Sequence, residues 1–120
     1  MRLTWDELTL ALDSLMEMRF RGTDQERRAA GTLGVKVIGE LQTLWPAICS
    51  GEERNQTGAK MDLTREEMHT LVLALMHYKE KARQQYREAR DALDRIRELD
   101  ALQTKIQREL DRTAGEGGKE

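Results

Sequence analysis

Apolar positions recur along this chain at helical spacing, and three times they follow the same start signal. In LTWDELTLALDSLM, Leu8, Ala11, Leu12, Leu15 and Met16 fall on one side of a helix. Thr4 and Glu7 read as a capping box, with Leu3 and Leu8 as the apolar staple around it. The pattern predicts a helix over 5–20 that stops at Gly22. Trp5, Met18 and Phe20 widen its apolar face past half the circumference, so cover on two sides is expected.

A second box, Thr23 with Glu26, opens a helix over 24–45, where Ala30, Leu33, Val37, Leu41 and Leu44 are in line and Pro46 opposes continuation. Gly31, Gly34 and Gly39 sit inside it, each costing ~1 kcal/mol relative to Ala. One helix is expected despite them, with close approach of a neighbour at Ala30, Gly31 and Gly34; a short break near Gly31 is the rival. Trp5 and Trp45 would meet at one end of this hairpin.

The third start, Thr64 with Glu67 and Leu63 with Met68, repeats the first and leads into 65–112, which contain no Gly or Pro. Apolar or small residues recur there from Met68 to Leu110 at a mean of 3.5 residues per step, the coiled-coil period. One helix of that length would span roughly 72 Å at ~1.5 Å per residue, against a diameter of about 35 Å for a compact chain of this size. Two outcomes are open. The helix projects and pairs with a second chain through Tyr86, Leu93, Ile96, Leu99, Leu102, Ile106 and Leu110, or it folds back near Leu99, where Asp100 and Gln103 offer a cap. The homodimer is the favoured expectation. The fold class is all-α: an N-terminal helical hairpin over 1–49, a flexible linker over 50–62, a long helix with coiled-coil character over 63–112, and a disordered tail over 113–120.

Composition narrows the function classes. The 120 residues are 35% charged, yet 20 Lys and Arg against 22 Asp and Glu leave a net charge of −2, so any electrostatic partner must be read from local patches. Cys49 has no second cysteine to pair with and is expected as a buried small apolar residue. No apolar run approaches the ~18 residues of a membrane span, and a cytoplasmic location without membrane contact is expected.

Chemistry is sparse. His69 and His77 would stand about 12 Å apart along one helix, too far to share a ligand. No phosphate loop precedes a helix, and neither cofactor nor metal is expected. A non-enzyme is the expectation. The one polar pattern of note is Lys79, Arg83, Arg87 and Arg90, spaced 4, 4 and 3 along one side of the third helix. It reads either as a solvated flank with pairs such as Asp91 and Arg95, or as a partner-binding surface for an acidic partner or for phosphates. Nucleic acid is the less favoured ligand, because Glu80, Glu88, Asp91 and Asp94 are interleaved with the cations.

LTWDELTLALDSL followed by RRAAGTLGVKVIGELQTLW, over residues 3–45, resembles the LTxEEL helical hairpins of small phage and prophage accessory proteins, with an echo over 63–80. The resemblance implies a short protein that binds and blocks or redirects a larger machine, and carries no functional residues to transfer. The leading expectation is therefore a non-enzymatic protein-protein interaction protein, in its sharpest form a phage-encoded inhibitor of a host defence or host enzyme complex. A phage structural, assembly or chaperone role and a nucleic-acid-binding accessory role are the alternatives.

Overall fold

The computed structural model describes residues 1–85 and 90–117, with side chains described except those of 90–92 and 114–117. Threonine hydroxyls set where its helices begin. Thr4 is extended and its Oγ1 accepts the Glu7 amide at 3.2 Å, while the Thr4 amide donates to Glu7 Oε1 at 3.0 Å. Helix α1 (Trp5–Arg21) follows, and Gly22 ends it by donating its amide to Met18 O. Thr23 and Glu26 repeat the reciprocal pair at the start of α2 (Asp24–Cys49), and Thr64 and Glu67 repeat it ahead of α3 (Arg65–Gln85). All three expected boxes are present.

Residues 50–62 are not a free linker. Strand β2 (Gly58–Lys60) pairs antiparallel with β1 (Arg2–Thr4), with Leu3 opposite Ala59. The Met61 amide donates to Met1 O at 2.8 Å. The driving force lies at the start of α1, whose first amides have no partners within the helix. Trp5 N donates to Thr57 O at 2.7 Å and Asp6 N to Arg54 O at 3.3 Å, so the segment completes the cap that the threonine begins. Leu3 and Met61 anchor it in the core. A Cβ at Gly58 would lie 2.6 Å from Leu3 O, which is why the strands can approach only with glycine there.

Helix α2 is continuous through its three glycines, as the apolar line required, and runs past Pro46 for one more turn. The carbonyls of this last turn find donors beyond it: Ser50 N donates to Pro46 O and Glu52 N to Ala47 O. Close helix approach does not explain the glycines. A Cβ at Gly34 or Gly39 would meet nothing within 4 Å, and one at Gly31 only Arg19 Nε at 4.0 Å. Gly39→Ala is therefore expected to raise stability by up to about 1 kcal/mol, whereas Gly58→Ala must push backbone aside and lower it by about 1–3 kcal/mol. Urea denaturation of the two variants checks both signs. Cys49, expected inside, is exposed, because it is the last residue of α2 and lies beyond the packed stretch that ends near Leu44.

The expected single long helix over 63–112 is two helices. Helix α3 ends at Gln85, and α4 (Arg90–Gly117) runs back antiparallel to it: Lys79 pairs with Asp100, and Arg65 Nη1 donates to Leu110 O at 3.0 Å. Leu99, the expected place of a fold-back, lies inside α4 and not at its start. The same apolar period serves both arrangements, since a seam of Leu and Ile closes equally on a second chain or on the chain's own core. Leu99, Leu102, Ile106 and Leu110 join Leu8, Leu15, Leu71 and Leu75 in one buried cluster. The expected disordered tail over 113–120 is helical as far as Gly117.

Helices α1 and α3 pack side by side at the centre, and α2 and α4 flank the pair, each antiparallel to its neighbours. The result is all-α apart from the small sheet, with a radius of gyration of 14.7 Å.

Candidate protein interface

Helix α1 is central, yet one edge of it is left open, beside α2. Trp5, Leu12 and Arg19 lie seven residues apart, as do Trp45, Ile38 and Gly31, so each set runs along one line of its helix. Two contacts fix these lines against each other. The Trp5 and Trp45 rings stand 5.7 Å apart at a 32° tilt, as the hairpin reading expected, and Arg19 comes nearest the Gly31 position at the other end. On these lines and outboard of them stand Phe20 at 76% exposure, Val35 at 71%, Trp45 at 55%, Met16 at 49% and Ile38 at 41%. Five of the eight large apolar side chains exposed among the described residues thus belong to this one hairpin. Apolar side chains singly exposed are ordinary, but a group rimmed by polar residues marks a contact surface.

At its α1 C-terminal end the surface narrows into a groove of about 720 Å³ lined by Arg19, Arg27, Arg28, Gly31, Thr32 and Val35. Arg19, Arg27 and Arg28 are exposed, and their guanidinium groups make no ion pair or hydrogen bond with any described residue. From the residues alone Phe20 and Val35 look like core extensions of two amphipathic helices, although the stretch with Met16 and Met18 offers an adaptable apolar surface able to receive a helix. Only the packing shows that α1 turns its Met16 and Phe20 edge to solvent.

The expected basic stripe is not brought together as one surface. Lys79 is largely covered and pairs with Asp100 of α4, so it ties two helices. Arg83 lies on the surface 3.9 Å from Glu80 of its own helix. Arg87 lies outside the described residues, as does the Arg90 side chain. Of the seven residues expected to bind a second chain, Leu99, Leu102, Ile106 and Leu110 are buried within this one. Ile96 is half-buried, Leu93 is 59% exposed, and Tyr86 lies outside the described residues.

The remaining ionisable groups act mainly as fasteners. Glu17, buried on α1, accepts from Arg21 Nε at 2.6 Å and from Lys81 Nζ of α3 at 2.8 Å. Glu7 accepts from Lys105 of α4 at 2.7 Å, and Glu67 from Lys36 of α2 at 3.2 Å. His77 Nε2 stands 3.6 Å from Glu26, half-buried at the α2–α3 contact, while His69 is exposed. Among the described residues no group of three or more His, Cys, Asp or Glu is placed to hold a metal ion, and no helix is long and apolar enough to cross a membrane.

The caps give the fold an acid sensitivity with a definite sign. The Thr23 amide, helped by His77, holds the Glu26 carboxyl below its ordinary value. At Glu67 burial opposes the shift, but the Thr64 amide and Lys36 outweigh it and again lower the carboxyl. Such groups favour folding above the unfolded glutamate value of about 4.3, and that contribution is lost as pH falls through their folded values. Asp13 works the other way, raised by burial against the pull of Arg95 and Lys81. The melting temperature is expected to drop between about pH 5 and pH 3. Glu26→Gln with Glu67→Gln should flatten that slope, because it removes the two carboxyls that the Thr23 and Thr64 amides hold down.

No protein-family model, curated protein or solved structure matches this chain. What the coordinates define is a class: a small all-α bundle in which an N-terminal helix pair is packed on a second, antiparallel pair.

Proposed function

We propose that this chain is a non-enzymatic binding protein whose working surface is the outer face of the α1–α2 hairpin. The observation that carries the proposal is the concentration of exposed Phe20, Val35, Trp45, Met16 and Ile38 on that hairpin, while the expected coiled-coil seam is closed inside the chain. Protein binding therefore does not depend on a dimeric stem. The resemblance of LTWDELTLALDSL to phage accessory hairpins supports the sharper reading of a phage-encoded inhibitor acting on a host complex in the cytoplasm. An assembly or chaperone role would use the same surface.

Capture from extract of the encoding cells tests this. The tagged full chain should retain a protein at near-equal stoichiometry, and Met16→Glu with Ile38→Glu should release it while helicity is unchanged. Equal capture by both chains, or capture lost only on changing Lys79 and Arg83, would move the interface elsewhere.

A further inference from the structure

We infer that the α1–α2 groove receives an acidic amphipathic helix from the partner, its apolar stripe on Val35, Met16 and Ile38 and its carboxylates on Arg19, Arg27 and Arg28. This rests on the protein-binding reading and specifies the chemistry of the partner.

Charge complementarity selects the occupant. The three guanidinium groups converge from two helices on one groove and are unsatisfied by any described residue. The acids nearest in sequence do not neutralise them: Glu17 is held by Arg21 and Lys81, Glu26 by Thr23 and His77, and Asp24 makes no ion pair with a described residue. A guanidinium group donates to a carboxylate in a bidentate pair, and three of them lining one groove favour Asp or Glu at successive turns of an incoming helix.

Length and polarity argue the rest. From Arg28 to Trp45 the surface extends ~26 Å at ~1.5 Å per residue, which matches a helix of about 17 residues. Its cations sit only at the Arg28 end, and the large exposed side chains beyond it, Met16, Ile38 and Trp45, are apolar. A nucleic-acid strand would want basic groups along its whole track and aromatic platforms in series; here, among the described residues, Phe20 is the one aromatic residue beside these cations in the hairpin, and Trp45 stands at the far end. An amphipathic peptide with acids at one end and anchors at i, i+3, i+4 and i+7 fits both halves.

The probe is a displayed library of 18-residue amphipathic helices with randomised flanks, selected against the full chain. Selected peptides should be enriched in Asp and Glu towards one end, and their binding should weaken at least tenfold in Arg27→Glu with Arg28→Glu and in Val35→Asp. Circular dichroism should show both variants folded, and Glu66→Lys on α3 should leave binding intact. No acidic enrichment, or binders indifferent to these changes, would overturn the groove assignment. So would dT12 binding that is lost in the same variants without peptide binding, which would make this a nucleic-acid site. If the groove variants fail to weaken peptides while the cellular partner is still captured and is still lost with Met16→Glu and Ile38→Glu, only the acidic-helix assignment falls. Loss of cellular capture altogether, with acidic peptides still bound, would instead bring down the protein-binding role.

Discussion

Replacing Leu99 and Ile106 together by alanine is expected to unfold the whole molecule. Both side chains are fully buried, and both belong to the one cluster that also holds Leu8, Leu15 and Leu71. Each truncation costs roughly 2–5 kcal/mol in a core that cannot collapse onto the space. Together that is about 4–10 kcal/mol, comparable with the ~5–15 kcal/mol total stability of an ordinary domain. Because α4 closes over the central α1–α3 pair, the loss should appear as one cooperative transition moved to lower urea, with far-ultraviolet and tryptophan signals moving together. Trp5 and Trp45 report on the hairpin at the far side of the bundle, so their coincidence with helix loss is the sensitive part. Wild type should scatter light as one chain of 13.9 kDa. A two-chain mass, with a variant that becomes monomeric while its tryptophan transition stays put, would restore the projecting stem.

The contrast between stem and fold-back shows what was legible in the residues. Helix starts were, because a capping box is a local contract between Thr4 and Glu7, or Thr64 and Glu67, that needs nothing from the rest of the chain. The apolar seam from Leu99 to Leu110 was legible as a seam. Its partner was not, since periodicity states that a face is buried and is silent about which surface buries it. The absence of Gly and Pro over 65–112 argued against a reversal, yet a helix can end wherever tertiary packing repays the lost hydrogen bonds.

The candidate surface was harder to read for a related reason. Phe20 and Val35 carry the same apolar label as Met18 and Val37, and only the position of neighbouring helices separates an open edge from a covered one. The docked 54–61 segment is a third case. Thr57 and Arg54 act through backbone carbonyls, and a carbonyl leaves no mark in the sequence.

The largest polar effect is expected at Glu17. Its side chain is 8% exposed at the contact of α1 with α3, and its two oxygens are divided between Arg21 on its own helix and Lys81 on the other. Removing either cation leaves one strong partner, so Arg21→Met or Lys81→Met alone should shift the urea midpoint modestly. Removing both strands the carboxylate. Leaving the Glu17 charge buried without a partner costs about 3–5 kcal/mol, well beyond the sum of two exposed ion pairs. The double variant should therefore be far less stable than additivity of the singles allows. Adding Glu17→Leu to it should recover most of the loss, because the site then exchanges an unpaired buried charge for a buried apolar side chain. If the double variant merely sums the singles, water reaches Glu17 in solution and the α1–α3 contact is looser than the buried carboxylate implies. If the triple variant stays as weak as the double, the two cations contribute through their alkyl stems and the charge is incidental.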